Sequence, residues 1–293
     1  MKILLLGQTG QVGFELKRTF APLGNIVAPT RDQLDLLHEE AVQRYLDEHQ
    51  PNLILNAAAY TAVDKAESEP ELAGKLNGAL PKQLADYARE TGAVLIHYSS
   101  DYVYPGQGEQ PFDESAPTGP LSAYGKTKLE GDQAIVDSGC KHYIFRTSWV
   151  YSARGHNFMK TMIRLGKDKT ELKVVSDQIG APTPARLIAQ VSLLAYARDI
   201  KTGIYHLAPE GETSWQGFAQ AIFEQCATRG KDLTITSEAV KPIPTKDYPT
   251  PAERPLNSRL NLQKLEQALD TTMPRWDDQL TQTLEEFLEY QEQ

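Results

Sequence analysis

The stretch KILLLGQTGQVGFELKRTF (residues 2–20) decides the fold of this 293-residue chain. It opens with a short apolar run that stops at Gly7, which is typical of a buried strand in a parallel sheet. A helix is predicted next, because apolar side chains recur at helical spacing, at Val12, Leu16 and Phe20. The order of strand, glycine-rich turn and helix predicts the start of a nucleotide-binding unit.

The turn between that strand and that helix has the spacing GxxGxxG, with glycines at Gly7, Gly10 and Gly13. In a dinucleotide site, such glycines allow a tight turn, close approach of the pyrophosphate and close packing of helix on strand. The helix N-terminus beyond them offers free N–H groups to the phosphates. We therefore predict that this turn binds a dinucleotide cofactor.

Strand and helix patterns alternate over the first half of the chain. Further strands are predicted at NIVAPT, NLILNAAA, AVLIHYSS and HYIFRTSWVY, with amphipathic helices between them. After Tyr151 the alternation loosens, and prolines cluster in KPIPTKDYPTPAERP. The pattern predicts an α/β protein, a Rossmann-type doubly wound parallel sheet with a smaller, interleaved C-terminal substrate domain. Residues 1–151, joined by roughly 184–200, form the expected NAD(P)-binding domain, and 152–293 mainly the substrate domain.

Composition and charge exclude several classes of function. A net charge of −9 disfavours a nucleic-acid backbone as partner. No segment approaches the ~20 apolar residues of a membrane span, so no membrane association is expected. The cysteines, Cys140 and Cys226, form no CxxC pair, and the six histidines lack metal-ligand spacing. We expect a cytoplasmic protein without a metal site.

The residues after the second predicted strand indicate which cofactor is used. NAD sites tend to place an acid there for the ribose 2′-OH, whereas an arginine accommodates the 2′-phosphate of NADP. Here Thr30 and Arg31 stand at that position, which favours NADPH. Because Asp32 follows directly, NADH is expected to be accepted as well.

The segment SAYGKTKLEGD (residues 122–132) places Tyr124 and Lys128 four residues apart. On a helix these side chains share a face. A lysine beside a tyrosine lowers the pKa of the phenol, which makes it a usable proton donor near neutral pH. Ser100 follows the fourth predicted strand, at the sheet edge where ligands bind. Taken alone, the pair also fits a solvated helix face, and the serine a turn.

Several stretches of the chain resemble the dTDP-4-dehydrorhamnose reductase family of the extended short-chain dehydrogenase/reductase superfamily. They are GQTGQVG, NAAAYTAVDKAE, HYSSDYVYPG, SAYGKTKLEGD, FRTSWVY, DQIGAPT and YPTPAERPLNSRL. The last two distinguish this family from epimerases and dehydratases with the same superfamily motifs. The resemblance implies NADPH-dependent reduction of the C4 ketone of dTDP-4-dehydro-L-rhamnose to dTDP-L-rhamnose, a precursor of bacterial surface polysaccharide.

The resemblance also implies a role for individual residues. Tyr124 would donate a proton to the C4 oxygen, Lys128 would bond the nicotinamide ribose, and Ser100, where many relatives have threonine, would orient the carbonyl. The expected cofactor-binding residues are Gly7, Gly10, Gln11, Val12, Gly13, Thr30, Arg31, Asp35, Leu36, Ala59, Tyr60, Thr61, Tyr98, Tyr124 and Lys128. The expected substrate-binding residues are Ser100, Asp101, Trp149, Arg254 and Arg259, with Asn157 and Gln178 as further candidates.

Members of that family are described as magnesium-dependent, with the ion joining a dimer through clustered glutamates. Glu15, Glu289 and Glu292 suit such a site, but Arg186 stands where these members carry a glutamate. A cation there repels Mg²⁺ and can pair with the carboxylates directly. We expect no dedicated Mg²⁺ site, and either a monomer or a metal-independent homodimer.

Two alternatives remain open at this point. A nucleotide-sugar epimerase or another 4-ketoreductase would share the fold and the superfamily motifs; an epimerase would be purified with tightly held NAD. A non-catalytic protein of this fold would bind NADP and regulate a partner. The presence of Ser100, Tyr124 and Lys128 together argues against the second alternative.

Overall fold

The structure, a computed structural model, describes residues 1–291. Strands and helices alternate through the first half, as the sequence predicts. These elements are β1 (Lys2–Leu6), α1 (Gln11–Thr19), β2 (Asn25–Val27), α2 (Glu39–His49), β3 (Leu53–Asn56), α3 (Val63–Ala66), α4 (Pro70–Gly74), α5 (Leu80–Thr91), β4 (Val94–Ser100), α6 (Ala123–Ser138), β5 (His142–Thr147) and β6 (Val150–Tyr151).

The second half contains shorter strands between helices. Its elements are α7 (Phe158–Gly166), β7 (Leu172–Val175), β8 (Ile179–Gly180), β9 (Thr183–Pro184), α8 (Ala185–Ala197), β10 (Gly203–His206), β11 (Thr213–Ser214), α9 (Trp215–Thr228), β12 (Val240–Ile243), α10 (Gln263–Leu269) and α11 (Trp276–Gln291). Within residues 1–291, no helix combines the length and apolar character required to cross a bilayer.

The central sheet has the strand order β2-β1-β3-β4-β5-β10, and every neighbouring pair is parallel. This order confirms the doubly wound fold. From β1 the chain builds outward to β2 on one side and to β3 on the other. The connections therefore diverge beside β1, and the resulting crevice at the carboxyl ends of the strands is where such folds bind ligands.

Apolar side chains fill three cores. One lies between the sheet and α1, α8 and α10, and another covers the opposite face beneath α2, α5 and α6. The third is formed in the second half by α7, α9 and α11. Helix α8 packs against α1 in the first of these cores. Strand β10 and helix α10 join it there, so the two parts interleave further than the sequence pattern indicated.

The polar segment after β3, expected to be a loop, folds into α3, α4 and a π-helical turn (Lys75–Ala79) that continues into α5. Helix α6 lies against this turn. A Cβ added at Gly131 would be 2.1 Å from the carbonyl oxygen of Asn77, so only glycine allows so close an approach. The contact fixes the position of α6, the helix that carries Tyr124 and Lys128.

Candidate active site

The glycine-rich turn forms where β1 ends. The N–H of Gly10 donates to the carbonyl oxygen of Gly7 at 3.0 Å, which closes the turn before α1 begins. A Cβ at Gly13 would be 2.0 Å from that same oxygen, so α1 can pack against the turn only with glycine there. The N-terminus of α1 carries no capping side chain, which leaves N–H groups of its first turn for an anion.

Gln11 is held by the second half of the chain. Its Oε1 accepts a hydrogen bond from Nδ2 of Asn157 at 2.8 Å. Asn157 in turn caps α7, since its Oδ1 accepts from the N–H of Lys160 at 3.1 Å. Asn157, a candidate for nucleotide contact, therefore joins the glycine-rich turn to the second domain.

Tyr124 and Lys128 lie on one face of α6, as their spacing predicts. The helix begins at a side-chain cap, where Ser122 Oγ accepts from the N–H of Gly125 at 3.2 Å. Lys128 is 1% exposed, and its Nζ donates to the carbonyl oxygen of Tyr98 at 2.6 Å. The Tyr124 side chain lies near Ser100, at the end of β4, and this proximity acts to lower the pKa of the phenol. The structure thus brings the three predicted catalytic residues together.

The pKa values of this pair differ from the sequence-based expectation. Burial raises the pKa of Tyr124 to about 12, and the nearby Ser100 side chain only partly opposes this effect. Burial also lowers the pKa of Lys128 to about 8, opposed by the charge of Asp132. The expected lowering of the phenol pKa does not arise from the protein alone, because the Lys128 ammonium is directed at the Tyr98 carbonyl. The phenol therefore stays protonated at neutral pH.

Ser100 and Asp101 form a buried polar group at the carboxyl end of β4. The Ser100 hydroxyl donates to Oδ1 of Asp101 at 3.0 Å. Burial raises the pKa of Asp101 to about 6, and the neighbouring Ser258 and Ser100 side chains only partly oppose this effect. Oδ2 of Asp101 has no hydrogen-bond partner within residues 1–291, so it is available to a polar ligand group.

The segment after β3 that was expected to line the cofactor, Ala59 to Thr61, is fixed by a residue that the sequence did not point to. Asn77, fully buried in the π-helical turn, accepts from the N–H of Tyr60 at 2.8 Å and donates to its carbonyl oxygen at 3.1 Å. Asn77 also donates to the hydroxyl of Thr127 at 3.1 Å. Asn77 therefore links the segment that was expected to line the cofactor to helix α6.

Tyr98 contributes to the site through its backbone. Its ring is 8% exposed and packs near Phe145 in the first core. Its hydroxyl donates to Ser192 of α8 at 2.9 Å. The carbonyl oxygen of Tyr98 accepts from Lys128, and the contact between Tyr98 and the cofactor stays a prediction.

Thr30 and Arg31 follow β2 and are exposed beside the glycine-rich turn. The hydroxyl of Thr30 donates to Gln33 at 3.2 Å, and Arg31 has no ion pair within the described part of the chain. Asp35 accepts from the N–H of Leu37 at 3.1 Å, while Leu36 packs against the core beneath α2 and α5. Arg31 is thus the free cation at the position expected for a 2′-phosphate.

Trp149 adopts a left-handed backbone conformation, with φ of 48°. Such a conformation costs of order 1–3 kcal/mol for a non-glycine residue and tends to occur at functional sites. Its indole stacks on that of Trp215 with ring centroids 3.9 Å apart. Trp215 was not anticipated from the sequence. Its Nε1 donates to Oε1 of Gln178 at 3.0 Å, so Gln178 supports this aromatic pair rather than facing a nucleotide.

The two candidate arginines for a diphosphate are both held by carboxylates. Arg254 donates to the two carboxylate oxygens of Asp64 at 2.9 Å, and it lies near the side chain of Tyr102. Arg259 donates to Glu212 at 2.6 and 3.1 Å. It lines a cavity of about 440 Å³ together with further glutamates, Glu210 and Glu266. The surrounding carboxylates disfavour the binding of a diphosphate at Arg259. Arg254, in contrast, lies beside Tyr102, whose ring contacts that of Tyr124.

Arg186 pairs with a glutamate of its own chain. It donates to Glu286 at 2.5 Å, and its charge also acts on the buried Glu15, whose pKa is raised by burial and by Glu286. The sequence pointed to Glu15, Glu289 and Glu292 as partners and not to Glu286; Glu289 is exposed, and Glu292 lies outside the described residues. Within residues 1–291, no group of three or more His, Cys, Asp or Glu is placed to hold a metal ion.

A doubly wound parallel sheet, a glycine-rich turn after β1 and a Tyr-x-x-x-Lys pair with a buried lysine at the carboxyl edge define an NAD(P)-dependent oxidoreductase of the short-chain dehydrogenase/reductase class. The family model described as RmlD substrate binding domain matches residues 1–289. The dTDP-4-dehydrorhamnose reductase of Salmonella typhimurium is 46% identical over 94% of this chain and 95% of its own. The chain belongs to the dTDP-4-dehydrorhamnose reductase family.

Solved structures of relatives agree with this assignment. A dTDP-4-dehydrorhamnose reductase from Clostridium acetobutylicum has a TM-score of 0.89 at 37% identity, covering 98% of this chain and 100% of that one. The enzyme of Bacillus anthracis, solved in complex with NADP, has a TM-score of 0.89 at 32% identity, with 97% and 99% covered. The fold of this chain is therefore that of solved dTDP-4-dehydrorhamnose reductases, one of which was solved with NADP.

Proposed function

We propose that this protein reduces the C4 ketone of dTDP-4-dehydro-L-rhamnose to dTDP-L-rhamnose, with NADPH as the preferred hydride donor. The observation that carries the proposal is the grouping of Tyr124, Ser100 and Lys128 at the carboxyl edge of the sheet, with the Lys128 ammonium held by the Tyr98 carbonyl. Relatives with this name cover nearly the whole chain. The buried, unpaired cysteines fit a reducing compartment, and we assign the reaction to the cytoplasm.

In this mechanism the cofactor supplies the hydride, and the chain's own residues orient the ketone and supply the proton. Negative charge develops on the C4 oxygen as hydride reaches the carbon. The hydroxyls of Ser100 and Tyr124 meet that oxygen, and the phenol, protonated at neutral pH, transfers its proton to it. Lys128, cationic below its pKa of about 8, stabilises the phenolate that remains.

The sugar nucleotide would lie between the two domains. Trp149, fixed by its stack on Trp215, forms an aromatic wall for it, and the free Oδ2 of Asp101 accepts from a sugar hydroxyl. Arg254 is our candidate for the diphosphate. It would exchange the carboxylate of Asp64 for phosphate oxygens, since arginine binds both bidentately.

One assay tests the proposed function directly. NADPH oxidation is followed with dTDP-4-dehydro-L-rhamnose and with the corresponding UDP and GDP sugars. We expect turnover with the thymidine compound and a much lower kcat/KM with the other two. Purified protein that carries stoichiometric NAD, or that interconverts sugars without net NADPH oxidation, would favour an epimerase instead.

Arg31 is expected to set the cofactor preference. Replacing it with alanine removes a charge-assisted contact to the 2′-phosphate, so KM for NADPH should rise roughly tenfold while KM for NADH changes little. The measurement is the ratio of the two KM values. Arg44→Ala on α2 is the matched control, because Arg44 is also an exposed arginine. Equal rises for both cofactors would remove Arg31 from the 2′-phosphate site.

We infer that assembly does not depend on a divalent metal, because Arg186 neutralises Glu286 and Glu15. Light scattering should give the same mass with EDTA and with Mg²⁺. The Arg186→Glu variant replaces the cation by a third carboxylate and should make the mass or the stability respond to Mg²⁺. A wild-type dimer that dissociates on chelation and returns with Mg²⁺ would contradict the inference.

A further inference from the structure

We propose that His97 and Asn56 form a positioning pair behind Lys128, in which His97 supplies a fixed hydrogen-bond acceptor to the lysine ammonium. The inference rests on the role proposed above for Lys128 and adds two residues to it. Neither residue was singled out by its sequence pattern, since both stand in apolar strands.

The two residues occupy opposing positions on neighbouring strands. Asn56 on β3 and His97 on β4 are paired in the register of the sheet, and their exposures are 1% and 0%. Nε2 of His97 lies 3.3 Å from Nζ of Lys128, and Nδ1 lies 3.1 Å from Nδ2 of Asn56. A continuous polar path therefore runs from β3 through the imidazole to the lysine, within an otherwise apolar layer.

The donors of Lys128 can be accounted for one by one. An ammonium group has three N–H donors and no acceptor. One donor goes to the carbonyl oxygen of Tyr98 at 2.6 Å, and a second is directed at Nε2 of His97. The third is left for the side of the site where Tyr124 and the cofactor ribose are expected. The Tyr98 carbonyl and His97 Nε2 together therefore direct the third N–H of Lys128 towards Tyr124 and the cofactor ribose.

This arrangement requires one particular form of the imidazole. Nε2 accepts from an ammonium only if its lone pair is free, so the ring must be neutral with its proton on Nδ1. Burial, together with the charge of Lys128, lowers the pKa of His97 well below its usual range, which keeps the ring neutral. The other charge acting on Lys128 is Asp132 on α6, itself paired with Arg146 of β5 at 2.9 Å.

Asn56 determines which nitrogen of His97 carries the proton. Its Oδ1 has no hydrogen-bond partner within the described residues. With the amide turned so that Oδ1 faces the imidazole, it accepts from Nδ1–H, and Nε2 is left free for Lys128. If Nδ2 faces the imidazole instead, the ring proton lies on Nε2 and is directed at Nζ of Lys128. Only an uncharged lysine amine could accept that hydrogen bond. The first orientation is the one that agrees with a cationic lysine.

Nitrogen-15 NMR of the wild-type protein with NADPH bound tests the tautomer without altering the site. Histidine is labelled with ¹⁵N, and the His97 signals are assigned by their loss in a His97→Gln sample. At about pH 7 we expect a protonated Nδ1 and an unprotonated Nε2. A proton on Nε2, or a charged ring, would overturn the proposal.

Two variants test the effect on Lys128. His97→Leu removes the acceptor, so the alkaline limb of the kcat profile should move down by about one pH unit. The Kd of NADPH, measured by fluorescence of the bound cofactor, should rise several-fold. His97→Gln can still present an oxygen to Nζ and should stay closer to wild type in both quantities. A merely structural role for His97 would instead lower Tm in both variants and leave the alkaline limb unchanged.

Should His97→Leu fail to fold, Asn56→Leu replaces it. This variant removes the side chain that keeps the ring proton of His97 on Nδ1. We expect the alkaline limb of the kcat profile to shift in the same direction as in His97→Leu. An unchanged limb and an unchanged Kd in a folded variant would overturn the proposal. Neither the NMR signal nor the fluorescence titration requires turnover. These measurements therefore test the positioning pair even if the protein does not reduce the dTDP-sugar.

Discussion

Tyr124→Phe should lower kcat by about 10²- to 10⁴-fold, which is the range for loss of a positioned proton donor. The ring and its contact with Tyr102 remain in this variant, and only the hydroxyl near Ser100 is lost. NADPH affinity should therefore stay near the wild-type value. Steady-state kinetics with the dTDP-sugar and a fluorescence titration with NADPH measure the two quantities separately.

A matched control distinguishes this effect from the loss of any buried phenol. Tyr143 is also buried, on β5, and its hydroxyl donates to Asp199 at 3.3 Å, away from the site. Tyr143→Phe should keep kcat within a few-fold of wild type. A Tyr124→Phe enzyme that turns over at a similar rate would rule out the phenol as proton donor.

The same geometry sets the pH dependence of the reduction. The phenol of Tyr124, with a pKa of about 12, remains protonated throughout the ordinary range. Lys128, with its pKa lowered to about 8 by burial, is cationic below that value and loses its charge as the pH rises through it. Since the cation stabilises the phenolate formed on proton transfer, kcat should fall on the alkaline side, with a midpoint set by Lys128.

Local spacing predicted the glycine-rich turn and the helix that carries Tyr124 and Lys128, whereas the catalytic role of this pair was implied by the family resemblance. Tyr124 and Lys128 lie one helical turn apart, and the three glycines fall between a strand and a helix, so the chemistry is contained in short stretches. The parallel sheet followed from the same alternation of strand and helix, because parallel strands require crossovers.

The supporting residues could not be predicted in this way, because their partners are distant in sequence. Asn77 bonds Thr127 across 50 residues, and His97 approaches Lys128 across 31. Arg254 was expected to face a diphosphate, and no sequence pattern indicated that Asp64, 190 residues earlier, would bind it. Such contacts depend on strand register and loop position, which the periodicity of one segment does not specify.

Lys128→Met should damage both the rate and the binding of NADPH. The variant keeps an unbranched apolar stem in the same channel, but it removes the ammonium that bonds the Tyr98 carbonyl and stabilises the phenolate. Loss of a charge-assisted contact to the cofactor ribose should raise the Kd of NADPH by about 10- to 100-fold. Loss of phenolate stabilisation should lower kcat by about 10²-fold or more.

The charge balance of the core indicates that this variant can still fold. Asp132, the acid one turn along α6, remains paired with Arg146 at 2.9 Å, so no carboxylate is left without a cation. Thermal unfolding should therefore show a native-like transition, and the kinetic losses can be attributed to the site.

Lys126→Met is the matched control, since Lys126 lies on the same helix, two residues away, with its side chain exposed. On a helix it points away from the face shared by Tyr124 and Lys128. Its replacement should leave kcat and the Kd of NADPH close to wild type. If Lys128→Met lost rate but bound NADPH normally, the lysine would act on the phenol alone and not through the cofactor. If Lys126→Met and Lys128→Met had the same effect, the four-residue spacing of Tyr124 and Lys128 would not be required for catalysis.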